Sequence, residues 1–240
     1  MARLPRSRKA AGYSVAQIPS LANLRNWTAE DARLWLRQFA FLVTGLFFFA
    51  LALMLSIYAN VGANSWMVFH DGIALQTPLT IGQASQAVGL VMIVASWLVG
   101  IRPGMGTVLN MLLVGWFMDL IVWTGMLEYA TTLPVQLSML SVSILVLGLS
   151  SGMYIKAGFG AGPRDSFNLA VIELTNLSIT VSRWGIEATV VVFGILMGGQ
   201  FGFGTIIYAI LIGPAVGLGF RVFRLHRTPA PTSRPVASET

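Results

Sequence analysis

The chain has 240 residues, of which 55% are hydrophobic and 10% charged; its mean hydropathy is +0.75 and its formal net charge +6. A water-facing surface cannot be built from that mixture, which excludes a soluble globular protein. Cysteine is absent, which removes disulfides, thiolate zinc sites and iron–sulfur ligation, and the two histidines, His70 and His226, are far apart, so no metal and no cofactor is expected.

Residues 1–37 are expected to form a cytoplasmic N-terminal segment. They are mostly polar and lack a short apolar core followed by a small-residue cleavage site, so no cleavable signal peptide is expected. Within them, Thr28 is a plausible N-cap with Glu30 and Asp31 in the first turn, and Trp35 is flanked by Arg33 and Arg37. That pattern predicts a short interfacial helix over 28–37. From Gln38 to Phe69 there is no Asp, Glu, Lys or Arg, a run long enough to cross a bilayer. Hydropathy and breakers predict six spans near 39–59, 84–101, 105–125, 134–156, 182–198 and 203–222. Pro103-Gly104 and Gly125 bound the third, and Pro134 opens the fourth. The tail 225–240 carries three prolines and several Ser/Thr and is expected to be disordered.

The basic residues set the orientation. Arg3, Arg6, Arg8, Lys9, Arg25, Arg33 and Arg37 precede the first span, Arg102 lies between the second and third, and Lys156, Arg164 and Arg183 between the fourth and fifth. Arg221, Arg224, Arg227 and Arg234 close or follow the sixth. All fifteen therefore fall on one side, the cytoplasmic one by the positive-inside rule, with both termini inside. The bilayer is thus the expected partner of this charge. No basic stripe crosses a folded surface, which argues against nucleic acid.

The sequence also repeats itself at a shift of about 98 positions. Gly62, Gly100, Gly104, Gly106, Thr107 and Gly115 fall on Gly160, Gly198, Gly202, Gly204, Thr205 and Gly213. Each copy holds three spans, 38–128 and 129–224. Three is odd, so the second copy starts on the opposite side of the membrane. The fold class expected is an all-α membrane protein of six transmembrane helices in two inverted three-helix repeats. In each copy about 24 moderately polar residues join the first two spans and are expected to form a short helix. Whether it lies at the interface or re-enters the bilayer is open at this point.

Ionisable groups inside spans are functional candidates by default. Glu187 lies about one turn into the fifth span, with Arg183 four residues earlier on the same face. Asp119 lies in the third span nearer its outer end, and the two carboxylates are expected to mark opposite ends of one pathway. Neither has a counterpart, since Glu187 aligns with Gly89 and Asp119 with Gly217. Arg164 and Asp165 follow Gly158-Phe159-Gly160-Ala161-Gly162-Pro163, where the glycines permit a tight turn and Pro163 opens a helix. Gly160, Gly162, Pro163, Gly104, Gly106, Thr107, Gly202, Gly204, Thr205, Gly213 and Pro214 are expected to act as hinges or close-packing points. His70-Asp71 reads as a surface-loop pair.

These motifs resemble the YczE/YyaS/YitT family of bacterial integral membrane proteins, in its YczE-like branch. The likeness is carried by Gly160-Ala161-Gly162-Pro163-Arg164-Asp165, by Arg183 with Glu187, by Gly198-Gly199 and Gly202-Phe203-Gly204-Thr205, and by Ile212-Gly213-Pro214. Pro103-Gly104-Met105-Gly106-Thr107 with Asn110 fits it in the first copy. Where Gly-Pro-Arg-Asp would recur, the first copy has Asn64-Ser65-Trp66-Met67, so an asymmetric site is expected. The resemblance implies a multi-pass protein of the bacterial cytoplasmic membrane. The function expected is a secondary transporter or exporter of a small solute, working by alternating access of the two repeats. The alternative is a membrane scaffold or assembly partner for a membrane-associated enzyme. No HExxH, nucleophile–base pair or ATP-binding signature is present, so an enzyme is not expected. The chain is compatible with a homo-oligomer.

Overall fold

The computed structural model describes residues 27–225, which form eight α-helices and, among the described residues, no strand. These are α1 (Ala29–Tyr58), α2 (Ser65–Gln76), α3 (Ile81–Leu98), α4 (Met105–Thr124), α5 (Leu133–Lys156), α6 (Pro163–Thr175), α7 (Ile179–Leu196) and α8 (Phe203–Val222). Six of them, all but α2 and α6, are long and apolar enough to cross a membrane. The protein is a membrane protein with several apolar helices. Residues 1–26 and 226–240, which hold most of the N-terminal segment and almost all of the tail, lie outside the described residues.

The six long helices match the predicted spans to within a few residues, except at the start. Residues 28–37 do not form a separate interfacial helix. Thr28 is the N-cap, closing a capping box with Asp31, but the helix it starts runs on to Tyr58. The sequence explains this, because no Gly or Pro interrupts it between Ala29 and Thr44. Trp35 stacks on Phe39 at 5.0 Å and meets Phe159 edge-on at 5.8 Å, so it packs against the chain that follows α5.

Helices α1 and α5 pack against each other at the centre, α4 lies on α1, and α8 on α5. The α2 helix packs on α7 and α3, while α6 packs on α3, α7 and α4. Leu42, Leu46, Leu53, Met54, Leu140 and Ile144 fill the central contact. Helices in a bilayer gain little from burying apolar area against each other, so close fit must hold them. Where α5 crosses α8, a Cβ on Gly148 would strike the Ala215 carbonyl and one on Gly219 the Gly148 carbonyl.

The two halves make the same contact with their roles exchanged. The Gly106 N–H donates to the Phe159 carbonyl at 2.8 Å, and 98 residues on the Gly204 N–H donates to the Val61 carbonyl, also at 2.8 Å. Gly62 and Gly160, at matching positions, hold φ of +108° and +116°, a region that L side chains resist. Thr107 Oγ1 donates to the Ala161 carbonyl at 2.7 Å and accepts from the Gly104 N–H, and Thr205 Oγ1 accepts from the Gly202 N–H. Gly213 departs from expectation. Among the described residues it is exposed, with nothing within 4 Å of a built Cβ, so it is not a close-packing point there, and the adjacent Pro214 is an exposed proline inside α8.

Candidate functional site

Helices α2 and α6 are short, and both begin at one cavity of about 170 Å³ bounded also by residues of α1, α3, α4, α5, α7 and α8. The N-cap of α2 is Asn64, whose Oδ1 accepts from the Trp66 N–H at 3.1 Å. The N-cap of α6 is Gly162, which has no side chain to cap with, and Pro163 follows it at N1. The first turns of both helices therefore aim the positive ends of their dipoles at the cavity.

Four charged side chains line the same space: Arg164, Asp165, Arg183 and Glu187. Arg183 Nε and Glu187 Oε1 form an ion pair at 3.3 Å, one turn apart on α7. Asp165 accepts from the Gly162 N–H and receives the Tyr154 hydroxyl at 3.5 Å. Arg164 differs. Among the described residues no carboxylate lies within 4.0 Å of its guanidinium, which sits over the Trp66 ring at 4.7 Å from the ring centre. Its enclosure pushes it down to about 10, so it remains protonated at neutral pH. Enclosure raises the Asp165 carboxyl, opposed by Arg183, Arg164 and the Tyr154 hydrogen bond.

His70 is the residue that sequence reasoning misplaced. It lies on α2, is 1% exposed, lines the cavity, and among the described residues has no hydrogen-bond partner on either ring nitrogen. Burial first, and the Arg164 charge second, hold it well below its ordinary value, so it is neutral. Its neighbour Asp71 accepts the Gln200 N–H at 2.9 Å and pins the turn between α7 and α8. A signal for His70 was present in the repeat register, because it stands opposite Asn168, another polar residue lining the cavity.

Asp119 is not in this cavity. Its Oδ2 accepts the Thr80 hydroxyl at 2.6 Å and its Oδ1 the Gly82 N–H at 2.9 Å, so it caps the start of α3 and does not share a lined space with Glu187. Gly162 and Pro163 do border the cavity, whereas Gly104, Gly106, Thr107, Gly160, Gly202, Gly204 and Thr205 hold the loops behind it.

The lining has an internal register. Asn64 and Gly162, Trp66 and Arg164, His70 and Asn168, Ser85 and Arg183, and Gly89 and Glu187 all line it, and each pair is separated by 98 residues. Matching positions of the two halves thus meet around one space, but every charge comes from the second half.

Residues 36–221 match a family described as "Family of unknown function (DUF6198)". The chain belongs to this family. Among its relatives it is 33% identical to the uncharacterized membrane protein YczE of Bacillus subtilis over 178 residues, covering 73% of this chain and 82% of that one. It is 30% identical to an uncharacterized protein of Haemophilus influenzae over 196 residues, covering 80% and 87%. YyaS of Bacillus subtilis is 21% identical over 186 residues, covering 76% and 92%. No solved structure matches the chain. The DUF6198 match spans all eight helices but for the first turns of α1 and the last residue of α8, so the whole cavity falls within the family region.

Proposed function

We propose that this protein is a secondary transporter or exporter of a small solute bearing an anionic group, working by alternating access of two inverted halves in the bacterial cytoplasmic membrane. The observation that carries it is the charged cavity lined by matching positions of both halves. A site between two half-molecules can be opened to either side by rocking one against the other. The exchanged Gly106–Phe159 and Gly204–Val61 contacts support a two-fold relation, and the one-sided placement of fifteen basic residues supports its inversion, with both termini cytoplasmic. In this scheme α2 and α6 are broken helices that enter the membrane from opposite faces and meet at the solute.

Arg164 and the two helix N-termini hold the anionic group. Glu187, released from Arg183 in one of the two states, takes up the coupling proton. The test is flux in proteoliposomes across a panel of carboxylates, phosphates and amino acids, with and without an imposed proton gradient. Gradient-driven flux that falls at least about tenfold in Glu187→Gln, at unchanged insertion, is expected. An unchanged melting temperature of Glu187→Gln separates this fall from a loss of folding. Flux that is absent over the panel, together with loss of a membrane enzyme's activity in a null strain, would favour a scaffold instead.

A further inference from the structure

A second hollow adjoins the charged cavity. It is an open groove of about 710 Å³, floored by α2 and α6 and walled by α3 and α7. That volume lies within the roughly 300–1,000 Å³ range of small-molecule sites. Apart from Ser182 and Thr189 its lining is apolar or glycine, and among the described residues none that borders it is charged. Trp66, Met92 and Ile186 line both the groove and the charged cavity, so the two adjoin across these side chains.

The groove obeys the same register as the cavity. Phe69 and Phe167, Val88 and Ile186, and Met92 and Val190 line it in pairs 98 residues apart. Both hollows therefore lie along the relation that exchanges the two halves. An exchange axis of inverted halves lies in the membrane plane. A groove on that axis opens sideways into lipid and toward neither aqueous phase.

We infer that the solute is an amphiphile, with an anionic headgroup lying against Arg164 and His70 in the charged cavity and an apolar chain lying in the groove between α3 and α7. This rests on the carrier function proposed above and names its substrate class. Among the described residues Arg164 has an aromatic partner but no carboxylate within 4.0 Å, and His70, which borders the same space, has no hydrogen-bond partner on either ring nitrogen, so the cavity is short of one polar group against these two. A free headgroup would satisfy that deficit and leave the groove unused. An amphiphile fills both hollows and reaches them from the bilayer, where its chain already resides.

The test uses the full chain in nanodiscs of zwitterionic lipid and a lysophosphatidate carrying a diazirine in its alkyl chain. After photolysis, adducts are mapped by peptide mass spectrometry. Adducts on Ile73, Val171 and Phe193 are expected, displaced by unlabelled lysophosphatidate but not by glycerol 3-phosphate. Arg164→Ala, which removes a charge-assisted contact, is expected to cut labelling about tenfold. Gly185→Trp is expected to do the same by filling the groove. A Cβ at Gly185 meets nothing within 4 Å, and an unchanged melting temperature confirms that the variant folds.

If glycerol 3-phosphate protects Arg164 from modification as well as lysophosphatidate does, and Gly185→Trp changes nothing, the amphiphile is wrong while the carrier with a polar solute stands. Adducts spread evenly over outward residues such as Leu98, Trp123 and Leu196, indifferent to Arg164→Ala, overturn it as well. So does a cross-linked dimer through Val91 and Phe193 that Gly185→Trp dissolves, because a second copy then occupies the groove.

Discussion

Alanine at Gly106 and at Gly204 should destabilise the protein by the same amount. A Cβ on Gly106 would lie 2.7 Å from both the carbonyl carbon and oxygen of Phe159. One on Gly204 would lie 2.7 Å from the Gly62 oxygen and 2.8 Å from the Val61 oxygen. Comfortable carbon contacts begin near 3.5 Å, so each variant must push backbone aside by about 0.8 Å and stretch the 2.8 Å hydrogen bond beneath it. Overpacking of this kind costs about 1–3 kcal/mol, and alanine returns about 0.5–1 through helix propensity, leaving a net loss of roughly 0.5–2 kcal/mol. At about 2–4 °C per kcal/mol for a chain of this size, each melting temperature should fall by roughly 1–8 °C. Gly217→Ala is the control, since it sits inside α8 with nothing within 4 Å of a built Cβ, and should raise stability by up to about 1 kcal/mol. Thermal unfolding in detergent, followed by tryptophan fluorescence, reads all three. A fall in Gly106→Ala without one in Gly204→Ala would mean that the exchanged contact is not shared. A rise in both would refute the close approach itself.

Three further outcomes follow from named contacts. Asp119→Asn weakens the cap on α3 and should cost about 1–2 kcal/mol in the same melting assay while leaving solute flux at the wild-type level. His70→Leu removes a buried group that has no partner, so it should hold or raise stability while abolishing flux. The sign with pH follows from the lowered value of His70: below its unfolded value near 6.5 the unfolded chain binds a proton that the folded one does not. Wild type should therefore lose stability as pH falls from about 6.5 to 5 more steeply than His70→Leu. Because the natural chain has no cysteine, single cysteines at Arg102 and Glu128 test the orientation directly. An impermeant maleimide applied to intact cells should label the one at 128 and spare the one at 102.

The spans were legible because hydrophobic length and charge exclusion are properties of single segments. Contacts between segments were less so. Asp119 was read as a membrane carboxylate because its partners Thr80 and Gly82 lie 39 and 37 residues away and belong to another helix. His70 looked like a loop residue because α2 is too short to register as a span, and only packing against α7 and α3 buries it. Gly213 shows that identity between repeats does not guarantee equal packing. It matches Gly115, whose Cβ would meet the Gln86 side chain and the Gly82 carbonyl, yet Gly213 faces open space. Arg164, Asp165, Arg183 and Glu187 were legible as candidates because charge in an apolar chain is costly. Their convergence on one cavity required the fold.

The asymmetry of that cavity has a physical reason. Positions near an exchange axis face their own counterparts, and Arg164 sits over Trp66, the residue at its matching position. Had both halves kept arginine there, two guanidiniums would stand about 5 Å apart, repelling by roughly 3 kcal/mol at an effective dielectric of 20. An aromatic ring at one of the two positions converts that repulsion into attraction, since a guanidinium prefers the face of an indole. Glu187 against Gly89 and Arg183 against Ser85 follow the same logic, with charge on one side and a small neutral residue on the other. At these matching positions the cavity therefore draws its charge from one copy and a neutral residue from the other. On the carrier function proposed above, the departures from the repeat are where a solute-recognising residue is to be sought.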